Sequence, residues 1–259
     1  ELLQNAEDAN AKKVKFHLSS EKIKFTHDGA DFNFDDLNSI TSINNSTKVD
    51  DYTKIGQHGV GFKSVLSLTK SPIIRSGNLE FEIKDIVLPV IKDDSYQGEN
   101  TQIILPFNRE GLNTDQVVSN IYNRISNIGL RNILFLNKIQ TIEWEFEQDS
   151  GVYTKTEQNN YLDQPVSRRT IAYEKITNSE TISAKEIYLV FSEKINIDGN
   201  NLQSDIAYGI ENNDGKDVIA EIDNSKVSVF FETEHETHLN FLIQAMFSTT
   251  ITRERIPLN

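Results

Sequence analysis

Cysteine is absent from this chain of 259 residues, so neither a disulfide framework nor a thiolate metal site can be built. Basic charge is also scarce: 26 Lys and Arg stand against 39 Asp and Glu, a net charge of −13. Neutralisation of phosphates by Lys and Arg supplies most non-specific nucleic-acid affinity, so this balance argues against direct nucleic-acid binding by the segment. No apolar run approaches the roughly 20 residues of a membrane span, and no signal peptide is recognisable, which leads to the expectation of a cytoplasmic module away from membranes. Internal repeats and low-complexity tracts are missing too. What remains is length for one large or two modest domains.

Among what is present, the most informative stretch is Lys54-Ile55-Gly56-Gln57-His58-Gly59-Val60-Gly61-Phe62-Lys63-Ser64, followed at once by the apolar run Val65-Leu66-Ser67-Leu68. Glycine serves where the backbone must take positive φ or come close to a ligand, because it has no Cβ. A glycine-rich turn opening into a helix aims unpaired N–H groups outward and makes a concavity for phosphate. The spacing is neither that of a P-loop nor that of the dinucleotide fingerprint. A tight turn packing a helix on a sheet would read the same way.

The second informative stretch is Glu1-Leu2-Leu3-Gln4-Asn5-Ala6-Glu7-Asp8-Ala9-Asn10. At about 100° per residue, Glu1, Asn5 and Asp8 fall within about 60° of one another on a helix. Leu2, Leu3, Ala6 and Ala9 cover the adjacent side as an apolar seat. A carboxylate, an amide and a second carboxylate in register can hold a hard cation through oxygen and offer a base to water. A merely solvated face is the plainer alternative. The chain opens on Glu1 with no preceding cap, so the expectation is a segment that begins inside a helix, with an upstream element missing.

Together these stretches resemble the GHKL, or Bergerat-fold, ATPases (gyrase B, MutL, histidine kinases, the large heat-shock chaperone), and most closely the sacsin-like and NO VEIN-like branch. Glu1 to Ala9 is similar to the N-box, ELxxNAxDA, and Ile55 to Ser64 to the glycine box IGxxGxGFxS. His27-Asp28-Gly29-Ala30-Asp31-Phe32 stands where the family has DxGxGM, or NDGxxF in the sacsin-like branch. Asn100-Thr101-Gln102-Ile103-Ile104-Leu105 is similar to the GTxIxL strand. Near the end, Val227 to Glu234 and Asn240 to Arg255 resemble a strand ending in FPTE and an FxIQAPFxTTPSRE-like run, with Glu232, Met246 and Ile251 in place of prolines.

The resemblance implies an α+β chain: a Bergerat two-layer α/β sandwich over residues 1–137, truncated at its N-terminus, then a mainly antiparallel, transducer-like β-rich domain over 138–259. It implies ATP and Mg²⁺ as cofactors. Asn5 would ligate the metal, with Asp8 beside it. Glu1 would orient and deprotonate the attacking water. Gly56, Gly59, Val60, Gly61 and Phe62 would hold phosphates through backbone N–H groups, and Lys63 would add charge. Lys48 or Lys54 could reach a phosphate or be a solvated charge. Asp28 with Gly29 would read the adenine amino group, or Asp28 would only shape an Asx-turn. Thr101 resembles the threonine that contacts the adenine site. Arg253, with Arg255 in reserve, would neutralise charge on the γ-phosphate or be a surface residue.

Patterning supplies the remaining elements. Lys13–Leu18 and Lys22–Thr26 alternate as a hairpin closed by Ser19-Ser20-Glu21, with His17 a surface or pairing residue. Asn33–Ser42 reads as a helix, and Asn44–Tyr52 as an ATP lid or an ordinary exposed loop. A helix is expected over Val60–Leu68, and strands over Pro72–Arg75, Leu79–Ile86 and Thr101–Phe107. A helix over Thr114–Ile128 is capped by Asn113 or Thr114. Short alternating runs at Thr141–Glu147, Thr170–Ile176, Glu186–Phe191 and Asp217–Ile222 indicate an antiparallel sheet.

Three functions stay open at this point: an ATP-driven conformational module of a larger sacsin-like protein, chaperone-like or in bacterial and antiviral defence; a non-hydrolysing nucleotide switch; or a DNA-associated MutL- or gyrase-like ATPase. The partners implied are ATP or ADP, other domains of the same protein, and a homodimer through the ATPase domain.

Overall fold

Period-two burial sets the strands. In β1 (Lys13–Leu18) Val14, Phe16 and Leu18 turn inward, and in β2 (Lys22–His27) Ile23, Phe25 and His27 do the same. Ser19 closes this hairpin: its N–H donates to the Lys22 carbonyl at 2.9 Å and its Oγ accepts from the Lys22 N–H at 3.2 Å. The computed structural model describes residues 1–32, 36, 62–84, 88–93, 96–158, 165–197 and 200–246. The helix expected over Asn33–Ser42, the Asn44–Tyr52 lid and Lys48 lie outside them, apart from Asp36, which is helical.

The chain divides into two compact units. Unit 1 comprises Glu1–Ile128, Lys138–Val152 and Lys175–Ile182; unit 2 comprises Gly129–Asn137, Tyr153–Glu174 and Ser183–Asn259. In unit 1, helix α1 (Leu2–Asp8) precedes β1 and β2. Strands β3 (Ile73–Ser76), β4 (Leu79–Lys84), β5 (Leu88–Asp93) and β6 (Thr101–Pro106) follow, then α2 (Thr114–Ser126). After α3 (Arg131–Leu134), which belongs to unit 2, comes β7 (Thr141–Phe146). The order across unit 1 is β7-β1-β2-β6-β3-β4-β5. Only the β1–β7 pair is parallel; the others are antiparallel. Ala6, Phe25, Ile74, Ile103, Leu105, Ile139 and Ile142 fill its core. Helix α2 lies against β1 and β7, and the Asn113 side chain caps it by accepting the Gln116 N–H at 3.1 Å.

Unit 2 holds most of the residues of β8 (Asp149–Gln158), β9 (Val166–Ile176) and β10 (Thr181–Ile197). With them are β11 (Asn200–Asn213), β12 (Lys216–Ala220), β13 (Lys226–Val229), β14 (Phe231–Glu236) and β15 (Leu242–Gln244). The order is β14-β13-β15-β11-β10-β9-β8, with β12 also on β11. The β11–β12 turn has Asp214 at φ 52° and Gly215 at φ 79°, the paired positive values that match the twist of a two-residue hairpin. Glu232 stands where the resembling motif has proline, and its N–H donates to the Asn132 side chain at 3.0 Å. A proline could not make that bond.

Several elements depart from the patterning. Residues Phe62–Ser67 form a 3₁₀ helix, where an α-helix was expected over Val60–Leu68. Its end is fixed by local bonds: the Leu68 and Thr69 N–H groups both turn back to the Val65 carbonyl, and Asn108 Oδ1 accepts from Lys70 N–H and Thr69 Oγ. Strand β5 has no clean alternation, and Leu88 and Ile91 are exposed. It ends the unit 1 order, where Pro89's missing N–H costs no ladder bond. Strands β8 and β11 and the short strands β13–β15 are also additional to the patterning. Among the described residues no helix is long and apolar enough to cross a membrane.

The single tryptophan reports on the unit 1 core. Trp144 is buried, and its ring is edge-on to Tyr122 at 5.8 Å between centroids. Gly151, in the part of β8 that belongs to unit 1, is the only residue type that fits beside it: a Cβ there would sit 2.5 Å from the indole Nε1. Gly151→Ala should displace the indole, shift its fluorescence to the red and destabilise the protein by about 1–3 kcal/mol, read by fluorescence-monitored urea unfolding.

Candidate functional site

Helix α1 is seated differently from its apolar pattern. Gln4, Ala6 and Glu7 are buried, whereas Leu2 and Leu3 are half-buried. The reason is a polar anchor. The Glu7 carboxylate accepts the consecutive backbone N–H groups of Lys138 and Ile139, at 2.7 and 2.9 Å. Burying a carboxylate is costly unless it is hydrogen-bonded, and bonds to a charged acceptor are about twice as strong as neutral ones. With Glu7 drawn inward, Glu1 is exposed and Asn5 and Asp8 half-exposed on the other side, as the spacing implies.

The turn after β2 closes directly on the end of α1. The Ala30 N–H donates to the Ala9 carbonyl at 2.8 Å. A Cβ on Gly29 would lie 2.6 Å from that carbonyl oxygen and 2.9 Å from the Ala11 nitrogen, so Gly29 is required for backbone approach. Asp28 Oδ1 accepts the N–H groups of Lys12 and Lys13 at 2.8 and 2.9 Å, which ties the turn to the start of β1. This structural role differs from the Asx-turn left open by the sequence, whose bond would run to the backbone two residues on, and it engages one of the two carboxylate oxygens.

Thr101 is fully buried at the start of β6, in register with His27. Its hydroxyl lies 2.5 Å from Ser76 Oγ, which donates to Asp31 Oδ1 at 3.2 Å and accepts the Phe32 N–H at 2.9 Å. Asp31 also takes the Gly77 N–H at 3.1 Å, and Gly77 sits at φ 56°. The carboxylate linked to Thr101 is therefore Asp31, through Ser76. Glu7, Asp31 and Ser76 were not singled out from the sequence. Asp31 lies inside the quoted motif, but at a position read there as variable. Ser76 had no signal beyond ending a strand.

His27, at the aspartate position of the DxGxGM form, is 3% exposed, and its Nδ1 accepts the Gly29 N–H at 3.2 Å. Burial pulls its pKa from 6.5 down to about 4, against the opposing pull of Asp28 and Asp31. It is neutral at pH 7. Because the folded value is the lower one, the unfolded chain takes up the proton first as pH falls. The neutral ring's contribution is complete above pH 6.5 and is lost as pH drops through 4, by up to about 3 kcal/mol. His27→Asn should remove this pH dependence, so that the wild-type-minus-variant stability difference falls between pH 7.5 and 4.5, as measured by urea denaturation; a parallel pair of curves would contradict the assignment.

Gly56, Gly59, Val60, Gly61, Lys54 and Arg253 lie outside the described residues, as do the side chains of Phe62 and Lys63. The structure brings together α1 and the His27–Asp31 turn, with Asp31 linked on to Thr101. Among the described residues no group of three or more His, Asp or Glu could hold a metal ion. A magnesium ion does not need one, since it is bound through one or two side chains plus phosphates and water. Asn5, a half-exposed amide between two carboxylates on one helix face, suits that donor set.

Residues 25–110 match the family model described as Sacsin domain. Human sacsin (Homo sapiens) is 35% identical over 95 residues, which is 30% of this chain and 2% of that protein. The chain thus spans a very small part of the curated relative it matches. Among solved structures, the ATPase domain of the mismatch repair endonuclease MutL from Aquifex aeolicus shares 10% identity at a TM-score of 0.37, covering 69% of this chain and 70% of that one. A lysine variant of the same domain gives 12% and 0.38, covering 76% and 90%. Over residues 25–110 the chain is thus similar to a Sacsin domain.

Proposed function

We propose that the chain is the ATP-binding, slowly hydrolysing module of a larger sacsin-like protein, and that nucleotide state sets its conformation. The observation that supports this reading most directly is α1: Gln4, Ala6 and Glu7 are buried while Glu1, Asn5 and Asp8 keep a polar face. Residues 1–137 would form the two-layer nucleotide-binding domain and 138–259 its β-rich partner domain. A bound magnesium ion would offset phosphate charge and help hold the triphosphate in line. Asn5 would hold that ion, Glu1 would orient the water and take its proton, and Asp8 would support the same face. The backbone of Gly56, Gly59, Val60, Gly61 and Phe62 cradles phosphate, aided by Lys54 and Lys63. Gly29 lets the turn approach α1, and the turn's carboxylates with Thr101 select the base. Arg253 neutralises the developing γ-phosphate charge. A chaperone-like or defence role for the larger protein follows only from its sacsin-like character.

Calorimetric titration of ATP, ADP and GTP with Mg²⁺, paired with phosphate release, tests this reading. Glu1→Ala should cut turnover about 10²-fold or more and leave ATP affinity within about twofold. Asn5→Ala should weaken both binding and turnover. Wild-type turnover in Glu1→Ala would remove the base assignment, and an absence of adenine-nucleotide binding in the wild type would remove the function.

A further inference from the structure

The Glu7 carboxylate does more than satisfy itself. Lys138 and Ile139 are the first two residues at which the chain re-enters unit 1, after Gly129–Asn137. Two successive N–H groups converging on one carboxylate make a directional clamp, with both carboxylate oxygens engaged. On the helix wheel Glu7 is about 120° from the stripe of Glu1, Asn5 and Asp8, so holding Glu7 fixes the direction in which that stripe points.

We infer that Glu7 is a positioning residue: by clamping the Lys138 and Ile139 amides, it sets the rotation of α1 and so the placement of Glu1 and Asn5 for a Mg²⁺–nucleotide ligand. The inference rests on the nucleotide reading for its ligand, but the clamp itself is structural and can be measured separately. Glutamine at position 7 keeps the size and offers one acceptor oxygen, while its amide N–H₂ opposes a backbone N–H. Aspartate keeps the charge and both acceptors on a shorter arm, and should restore part of what glutamine loses.

The test compares wild type, Glu7→Gln and Glu7→Asp in the full chain, by amide hydrogen exchange and by titration with ADP at varied Mg²⁺, well below the melting temperature. In Glu7→Gln, exchange at Lys138, Ile139 and along α1 should quicken about tenfold or more. The Mg²⁺ concentration for half-maximal ADP binding should rise about tenfold, with aspartate between. Residue 7 acting only through global stability would lower the melting temperature without moving that Mg²⁺ dependence, and this result would overturn the inference. Unchanged exchange at α1 would overturn it as well. If the wild type binds no ADP, the nucleotide reading fails and the exchange data alone decide the clamp. If Glu7→Gln does not fold, Glu7→Asp carries the same comparison. In the wild type, α1 must then open together with Lys138 and Ile139, and separate exchange rates for the two would refute the clamp.

Discussion

Tertiary contacts fix how helix α1 (Leu2–Asp8) sits in unit 1. Those contacts are unusually specific. Ala6 is fully buried, the Ala9 carbonyl takes the Ala30 N–H, Gly29 presses its backbone against the last turn, and Glu7 binds two amides more than 130 positions later in the chain. The exposed face of α1 is thereby determined from its buried face. Loss of any one restraint would let the helix roll, and a roll of one residue moves a side chain by about 100°.

The same corner concentrates buried polar groups, and each is neutral or paired. The His27 imidazole is kept neutral by desolvation and turns an acceptor to the Gly29 N–H. Thr101 passes its hydroxyl bond to Ser76 and on to Asp31. An unpaired polar group in such a place would cost about 1–3 kcal/mol, which is why the network is closed. The wider field is unfavourable to anions, since the chain carries a net charge of −13. A phosphate ligand would have to be held by local donors, backbone N–H groups foremost, because the summed charge repels it.

Much of this was legible in the residues. Alternation placed β1, β2 and β7 within a residue or two, because their inward faces are mostly apolar and their outward faces mostly charged. The α2 cap at Asn113 was readable because a short polar side chain before an amphipathic run has few other uses. The polar stripe of α1 was readable from periodicity, but its seat was not: glutamate among alanines signals solvent to any pattern rule, and only a distant pair of amides makes Glu7 an interior residue. Strand β5 escaped notice because a solvent-facing strand at the end of a sheet has no buried face to impose alternation. The Ser76 bridge escaped because hydrogen bonds between side chains on separate strands leave no trace in local sequence.

The departures from the resembling motifs show how structure constrains chemistry at single positions. At 232, glutamate in place of proline supplies an N–H that Asn132 accepts, so the exchange adds a bond rather than loosening a turn. At 27, histidine stands where the DxGxGM form has aspartate, and its Nδ1 accepts the Gly29 N–H. What histidine does not preserve is negative charge. Charge at this turn comes instead from Asp28 and Asp31, and their duties differ. Asp28 spends Oδ1 on the start of β1, while Asp31 is the carboxylate joined through Ser76 to the buried Thr101 hydroxyl. In this chain the carboxylate joined to the buried Thr101 is thus Asp31, four residues beyond His27.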